Sequence, residues 1–369
     1  MDFDFSESQQ ILMSSARSFL EKEAKDLARK MEKTEEGFSL PFWRKMADLG
    51  WMGILFPEDF GGSNGNFLDV MLLLREMGRA LVPGPFIPTM VSGLTVLHYG
   101  IESQREKILP SLIEGKTIIA PAFSKPDNRS RIAPAEERIR AEKENFVISG
   151  TRVFVPYPHA AHWYLYRADS NLGASLFLVD AGSHGIKWSL FPTIASDKQG
   201  AVVFDRVPVP AENILASSEK GAEALRQIGD WGALFQCAFI LGMLEKVLEM
   251  TVEYAKQRVQ FGKFIGSFQA IQHQCANMAT EIDKVKFLTY QAAWKLSERM
   301  PATREISMAK AKASDASRNV CMLGIKIHGG IGISEEHDLQ LFFRRAKAAE
   351  LSFGDGGFHR EIVAQQMGL

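Results

Sequence analysis

Two spacings of apolar residues alternate along the chain. Over the first third, Ile11, Ala16, Phe19 and Leu20, and then Val70, Leu73, Leu74, Met77 and Leu81, recur at helical steps, the period of a helix with one buried face. Pro83, Pro85 and Pro88 follow the second run and predict a break there. From about 119 to 217 the pattern becomes short runs, Phe146 to Gly150, Ala174 to Val179 and Ala201 to Phe204, bounded by Gly, Pro, Asn and Asp. These predict strands and turns. Helical spacing then returns: Phe268, Ile271, Cys275, Met278, Ile282 and Val285 form one stripe along Ser267 to about Met300, and Pro301 ends it. A helix over Glu305 to Ile327 and another carrying Met243, Val247, Met250 and Tyr254 would pack against that stripe as a bundle. Three regions follow from the pattern: 1–118 helical, 119–217 strand-rich and 218–369 helical.

Composition narrows the picture. The 369 residues suffice for two or three ordinary domains. A formal net charge of -1 without a dense basic tract argues against nucleic acid or an anionic membrane as partner. Cys237, Cys275 and Cys321 are widely spaced in apolar helical surroundings, so they read as buried thiols of a reducing compartment, and no paired spacing indicates a metal site. Met1 to Phe5 is acidic and unlike a secretory signal, giving the expectation of a cytoplasmic protein. The apolar segment Ala233 to Leu244 is interrupted by Gln236 and Gly242 and stopped by Glu245, short of the roughly 20 residues of a spanning helix. It is expected to be a core helix.

The stretch Gln257 to Lys263, followed by Ile265-Gly266 and Phe268-Gln269, puts a cation and an aromatic at what reads as a glycine-softened helix break. Arg258 can hold a pyrophosphate through its planar fork, Phe261 can lie on a flat ring, and Gly262 permits close backbone approach. Such residues at a helix end can equally serve terminal carbonyls and the core. A second glycine-rich segment, His328-Gly329-Gly330-Ile331-Gly332, precedes Arg344-Arg345-Ala346-Lys347.

In their order and spacing these segments resemble the acyl-CoA dehydrogenase family of flavoproteins, as do Glu58 to Gly62 and Val207 to Leu215. The resemblance spans nearly the whole chain. It implies an α+β protein with an N-terminal helical domain, a central barrel-like β-strand domain and a C-terminal four-helix bundle. It further implies FAD as cofactor, an acyl-CoA substrate dehydrogenated to the trans-2-enoyl-CoA, electron-transfer flavoprotein as electron acceptor, and a homo-oligomer or a hetero-oligomer with a related subunit. Phe123, Ser124 and the edge Phe154-Val155-Pro156 would face the flavin. Arg258, Phe261, Gly262, Phe268 and Gln269 would hold its adenine half across a subunit interface, with Lys326, Gly329 and Gly330 completing the pocket.

The family's chemistry needs a carboxylate to remove the substrate α-proton, and members carry a glutamate at one of two places. Here those places hold Gly354 and Gly232, with Ala233 where an arginine is usual. Asp355, one step late, is the candidate catalytic base; burial would raise its pKa and improve it near neutral pH. An Asp before the apolar run Phe358, Ile362 and Val363 also reads as a helix cap.

Two further departures concern the flavin. Pro156 stands where the family has a hydroxyl that donates to flavin N5, and proline offers neither hydroxyl nor N–H. The turn Ser124 to Arg131 lacks the family's two glycines and reverses its charge, and Lys326 replaces a common glutamine. Besides a self-sufficient dehydrogenase, these departures allow a base-lacking subunit of an α2β2 enzyme, a flavin-dependent oxidase or monooxygenase of the same fold, and a non-catalytic structural homologue.

Overall fold

A computed structural model describes residues 5–125, 138–142, 145–170 and 173–369. Its elements run α1 (Glu7–Glu23), α2 (Leu27–Glu32), α3 (Leu40–Asp48), α4 (Phe67–Arg79), α5 (Phe86–Tyr99), α6 (Glu102–Ile113), β1 (Ile119–Ala122), β2 (Arg138–Glu142), β3 (Asn145–Pro156), β4 (Trp163–Ser170), β5 (Gly173–Asp180), β6 (Ile186–Phe191), β7 (Gln199–Pro210), β8 (Ile214–Ala216), α7 (Ser218–Gln257), β9 (Val259–Gln260), β10 (Lys263–Phe264), α8 (Gln269–Ser297), α9 (Thr303–His328), α10 (Leu339–Leu351) and α11 (Gly356–Gln366). Helices, strands and helices follow one another as the spacing predicts. The prolines act differently from expectation. α4 has already ended at Arg79, and Pro88 is the third residue of α5, inside the first turn, where an N–H has no intrahelical partner to lose.

Two compact units emerge, and they cut across the expected linear domains: residues 1–29, 66–82 and 230–369 form one, and 30–65 and 83–229 the other. In the first unit α7, α8, α9 and α10 supply a common core that includes Leu241, Val247, Met278, Val285, Ala313, Val320 and Leu339. A fifth helix, α11, is tied to α9 through the His359 ring and the Ser307 hydroxyl. On α8 the stripe is deeply buried from Met278 onward, whereas Ile271 and Cys275 are only partly covered. α7 is long and apolar enough to cross a membrane by length and composition, but most of its apolar stretch is buried in the protein. Cys237 and Cys321 are buried free thiols, and Cys275 is half-buried.

α4 joins this unit because two glycines let backbones touch. A Cβ on Gly78 would stand 2.0 Å from the Phe239 carbonyl oxygen, and one on Gly242 only 1.8 Å from that of Arg75, so any side chain would push α4 and α7 apart. Ion pairs flank the crossing: Arg75 meets Glu245 through two bonds of 2.8 Å, and Arg17 of α1 meets the buried Glu76 the same way.

The second unit carries two four-stranded sheets, ordered β1-β4-β5-β8 and β2-β3-β7-β6. One core, including Tyr166, Phe177, Ile148, Val202 and Phe204, is filled from the inner faces of both, which is the sandwich solution to burying alternate residues. Among the described residues the expected barrel-like strand domain takes the form of two four-stranded sheets around one core.

Candidate active site

The Arg258 segment is a β-hairpin. Arg258 N still donates to Tyr254 O at 2.9 Å, extending the α7 pattern by one bond, and then β9 and β10 pair antiparallel. The turn residues Phe261 and Gly262 have φ of 54° and 80°, the left-handed pair of a type I′ turn. The expected helix break is present, between the end of α7 at Gln257 and the start of α8 at Gln269, and it takes the form of a hairpin that reverses on two residues. Phe261 is thrown outward, 92% exposed, touching the half-buried Phe268 edge to face at 6.1 Å. The Lys263 ammonium lies 4.4 Å over the Phe268 ring. Arg258 is exposed, with no ion pair to another described residue, and Gln269 opens α8 on the surface.

The glycine loop lies against this hairpin's base. α9 ends at His328, whose ring stacks on Tyr254 with centroids 4.4 Å apart and planes 22° apart. Its Nδ1–H donates to Gly324 O at 2.8 Å, and burial holds its pKa below the usual value, so the neutral ring packs as a flat plug. Gly329 turns the chain at φ 64°, and a Cβ on Gly329 or Gly330 would meet no other group within 4 Å. The stacked pair, 74 residues apart in sequence, joins the end of α7 that leads into the hairpin to the start of the glycine loop, and Arg258, Phe261, Gly329, Gly330 and Lys326 on the last turn of α9 are all exposed. The packing role of His328 was missed in the sequence; a histidine one step before a helix-ending Gly-Gly, in register with Ile327 and Gly324, is the signal that was there.

The two candidate base positions also come together. Gly232 is buried on α7, and a Cβ built on it would lie 2.2 Å from Cδ1 of Phe353. The half-buried Phe353 ring thus occupies the room a side chain at 232 would need. Phe353 and Gly354 are both left-handed, φ 56° and 93°. Asp355 caps α11, its Oδ1 accepting from Phe358 N at 2.9 Å. It is exposed, and the Phe358 amide, with the Gly357 amide, holds its carboxyl below the usual carboxylate range. The expectation that burial raises this pKa is reversed, because the carboxylate points to solvent and takes backbone donors.

Beneath this loop sits a group the sequence reading passed over. Lys310 is fully buried on α9 and its Nζ donates to Glu350 O and Gly354 O, each at 2.7 Å. Burial lowers its pKa to about 8. The buried His359 adds a third bond, Nε2–H to Phe353 O at 2.9 Å, with Nδ1 accepting from the Ser307 hydroxyl at 3.2 Å. A lysine among Ile306, Ala309, Ala313 and Ala316 on a buried face was the available signal.

In the second unit, β3 bulges between Arg152 and Val155. Phe154 sits in the bulge at φ 56°, 63% exposed, edge-on to Phe191 at 5.5 Å. Val155 does not face outward as expected: period-two alternation resumes after the bulge and turns it wholly into the sandwich core, paired with Gly200 of β7. Pro156 is half-buried opposite Gln199. Phe123 is half-buried and Ser124 exposed, its carbonyl accepting from Val153 N at 2.9 Å. Of the Ser124 to Arg131 turn, residues 126–131 lie outside the described residues.

Residues 6–116 match the family model "Acyl-CoA dehydrogenase, N-terminal domain" and 219–368 match "Acyl-CoA dehydrogenase, C-terminal domain". The chain belongs to the acyl-CoA dehydrogenase family. It is similar to the probable acyl-CoA dehydrogenase YngJ of Bacillus subtilis, 30% identical with 100% of both chains covered. The caffeyl-CoA reductase-Etf complex subunit CarC of Acetobacterium woodii is 29% identical over 98% of each chain. A chain in the crystal structure of the ChsE4-ChsE5 complex from Mycobacterium tuberculosis superposes with a TM-score of 0.92 at 26% identity, covering 100% of this chain and 99% of that one.

Within the first unit, Arg258 and Lys326 are exposed cations of the kind that can meet a pyrophosphate, and Phe261 is an exposed ring; in the second unit, taken by itself, Phe154 is an exposed ring. Gly262, Gly329 and Gly330 leave open space where a Cβ would stand. Pro156 offers no donor, so any bond to a ring nitrogen at that edge must come from another residue.

Proposed function

We propose that this chain takes part in FAD-dependent α,β-dehydrogenation of an acyl-CoA thioester to the trans-2-enoyl-CoA. The observation that carries the reading is the Tyr254–His328 stack, which holds the α7 end bearing the Arg258 hairpin against the start of the Gly329-Gly330 loop. FAD, when bound, supplies the two-electron acceptor. Arg258 pairs with its pyrophosphate and Phe261 covers a flat ring. Likeness to the reductase-Etf subunit supports electron exchange with an electron-transfer flavoprotein.

A specific observation favours a hetero-oligomeric form of this reading. Gly232 is covered by Phe353, Gly354 has no side chain, and Asp355 is an exposed cap. The α-proton is then taken by a carboxylate of a related partner subunit, and this chain contributes cofactor and substrate contacts. Likeness to a chain of the ChsE4-ChsE5 complex supports such an assembly.

The test is the flavin-to-polypeptide ratio and native mass of the protein purified alone, then anaerobic mixing with acyl-CoAs. About one flavin per chain with bleaching by substrate supports a self-sufficient enzyme. Little flavin, restored by a related subunit, supports the hetero-oligomer. No flavin under either condition sinks both.

A further inference from the structure

Where β4 begins, the second unit carries a cavity of about 480 Å³ with flat rings in its walls, those of His159, His162, Trp163 and Trp188. Trp163 opens β4, opposite Asp180 at the end of β5. β6 then brings Trp188, which is 51% exposed and whose ring centroid lies 5.9 Å from that of His159. The loop before β4 is fixed in advance by the buried Tyr164 hydroxyl, which donates to Pro158 O at 2.8 Å.

Backbone groups set the tautomer of both histidines. A carbonyl can only accept, so the 3.1 Å contact with Glu36 O puts the His159 proton on Nε2. Nδ1 is left as a bare acceptor, buried and without a donor among the described residues. In His162 the other nitrogen is engaged: Nδ1 accepts from Ile118 N at 3.1 Å, so Nε2 carries the proton and donates to no described residue. Partial burial lowers the pKa of each ring, which keeps both neutral and preserves this division. Asp180 Oδ1 accepts from Gly182 N at 2.8 Å, and its second oxygen adds a further acceptor. An unpaired buried acceptor is a standing cost that a ligand's N–H would remove.

Two cations flank the rings. The Lys107 ammonium lies 5.1 Å from the Trp163 ring centroid, and Lys198 is close enough to His159 to oppose its protonation. Neither forms an ion pair with a described residue. They disfavour a cationic guest and suit a phosphate. We propose that this cavity binds a purine nucleotide, its base stacked on Trp188, its exocyclic amine donating to His159 and a ring nitrogen accepting from His162, with Lys107 and Lys198 meeting the phosphate. Indole faces accept any base by stacking, so the two histidines supply the choice of base. The site does not depend on the dehydrogenation reading.

The experiment titrates AMP into the full chain in its native assembly, followed by calorimetry and indole fluorescence. Excess FAD is present throughout, so that AMP does not enter the cofactor's place. One AMP per chain with quenching is expected. Purine riboside monophosphate, which lacks only the exocyclic amine, should bind at least about tenfold more weakly. Trp188→Ala should weaken AMP by about tenfold or more, and His159→Leu should abolish the preference for AMP over the riboside. Lys107→Met and Lys198→Met should weaken AMP while leaving adenosine unchanged. If His159→Leu does not fold, His162→Leu, at an exposed position, should weaken both purine nucleotides by removing their shared donor. A Kd for AMP above about 1 mM overturns the proposal, and so does AMP binding that Trp188→Ala and the histidine variants leave unchanged. Coenzyme A displacing AMP with a Kd below that of AMP itself would assign the rings to the thioester carrier and overturn it as well. Each of these results leaves dehydrogenation standing.

Discussion

Two glycine turns in the helical unit contrast sharply. The hairpin turn at Phe261 and Gly262 stands in open solvent: nothing lies within 4 Å of a Cβ on Gly262, the Arg258 side chain is exposed, and Phe261 meets the Phe268 ring while staying 92% exposed. The turn at Phe353 and Gly354 has the same left-handed backbone but is walled by Phe358, His359 and the Lys310 bonds. One turn is free to meet a ligand or a neighbouring chain. The other is fixed by its own interior, so its geometry answers to residues that are 40 or more positions away.

The largest effect should separate these turns directly. Gly354→Ala puts a Cβ 2.3 Å from Phe358 Cδ1 at φ 93°, combining backbone strain with overpacking, and should cost about 3 kcal/mol in urea unfolding. Gly262→Ala, strained but unobstructed, should cost about 1 kcal/mol; equal costs would mean the wall around Gly354 yields freely.

Next comes the buried charge of Lys310. The folded-state pKa of Lys310 is lowered to about 8 from 10.5, so between those values the unfolded chain holds a proton that the folded one has released. Stability relative to Lys310→Met should therefore rise with pH across that window, by up to roughly 3 kcal/mol, and should be flat below about pH 7. Urea midpoints of both proteins from pH 6 to 10.5 check the sign; a falling difference would refute it.

A smaller stability effect concerns Asp355. Removing the cap in Asp355→Ala should cost about 1 kcal/mol, whereas Asp355→Asn, which caps as well, should be nearly neutral. In the partner-base reading Asp355→Asn also keeps substrate-driven flavin reduction, and abolition of reduction with an unchanged flavin spectrum would make Asp355 the base. The smallest stability change belongs to Arg258→Ala, within about 0.5 kcal/mol of the parent, yet flavin retention after gel filtration should fall at least about tenfold. Unchanged flavin content would remove Arg258 from the cofactor surface.

The same contrast explains what the sequence disclosed. Regular burial was legible, as in the Met278, Ile282 and Val285 stripe and the run from Ala233 to Leu244, because helical period and core burial agree. The Arg258 and Gly329 segments were legible by type and order. Their joining through Tyr254 and His328 was not, since nothing local pairs residues so far apart. The hairpin was hidden because type I′ turns usually announce themselves with Asn-Gly or Asp-Gly, and here a phenylalanine takes the first left-handed place. Val155 was misplaced by one step because a bulge shifts the alternation that sequence reading assumes. Lys310 stayed hidden because its partners are backbone carbonyls, which carry no sequence signature.

The tight crossing of Gly78 and Gly242 bears on how the protein is made. The α4 segment that must dock there, with Val70 to Leu74 wholly buried in the finished fold, leaves the ribosome long before α7 exists. At about 5–20 residues per second, the chain between positions 82 and 257 takes on the order of ten seconds or more to appear. Throughout that interval this strongly apolar helix has α1 beside it, through the Arg17–Glu76 pair, but not the α7 backbone it packs against at Gly78 and Gly242. Folding of this unit can therefore finish only after synthesis of its last third.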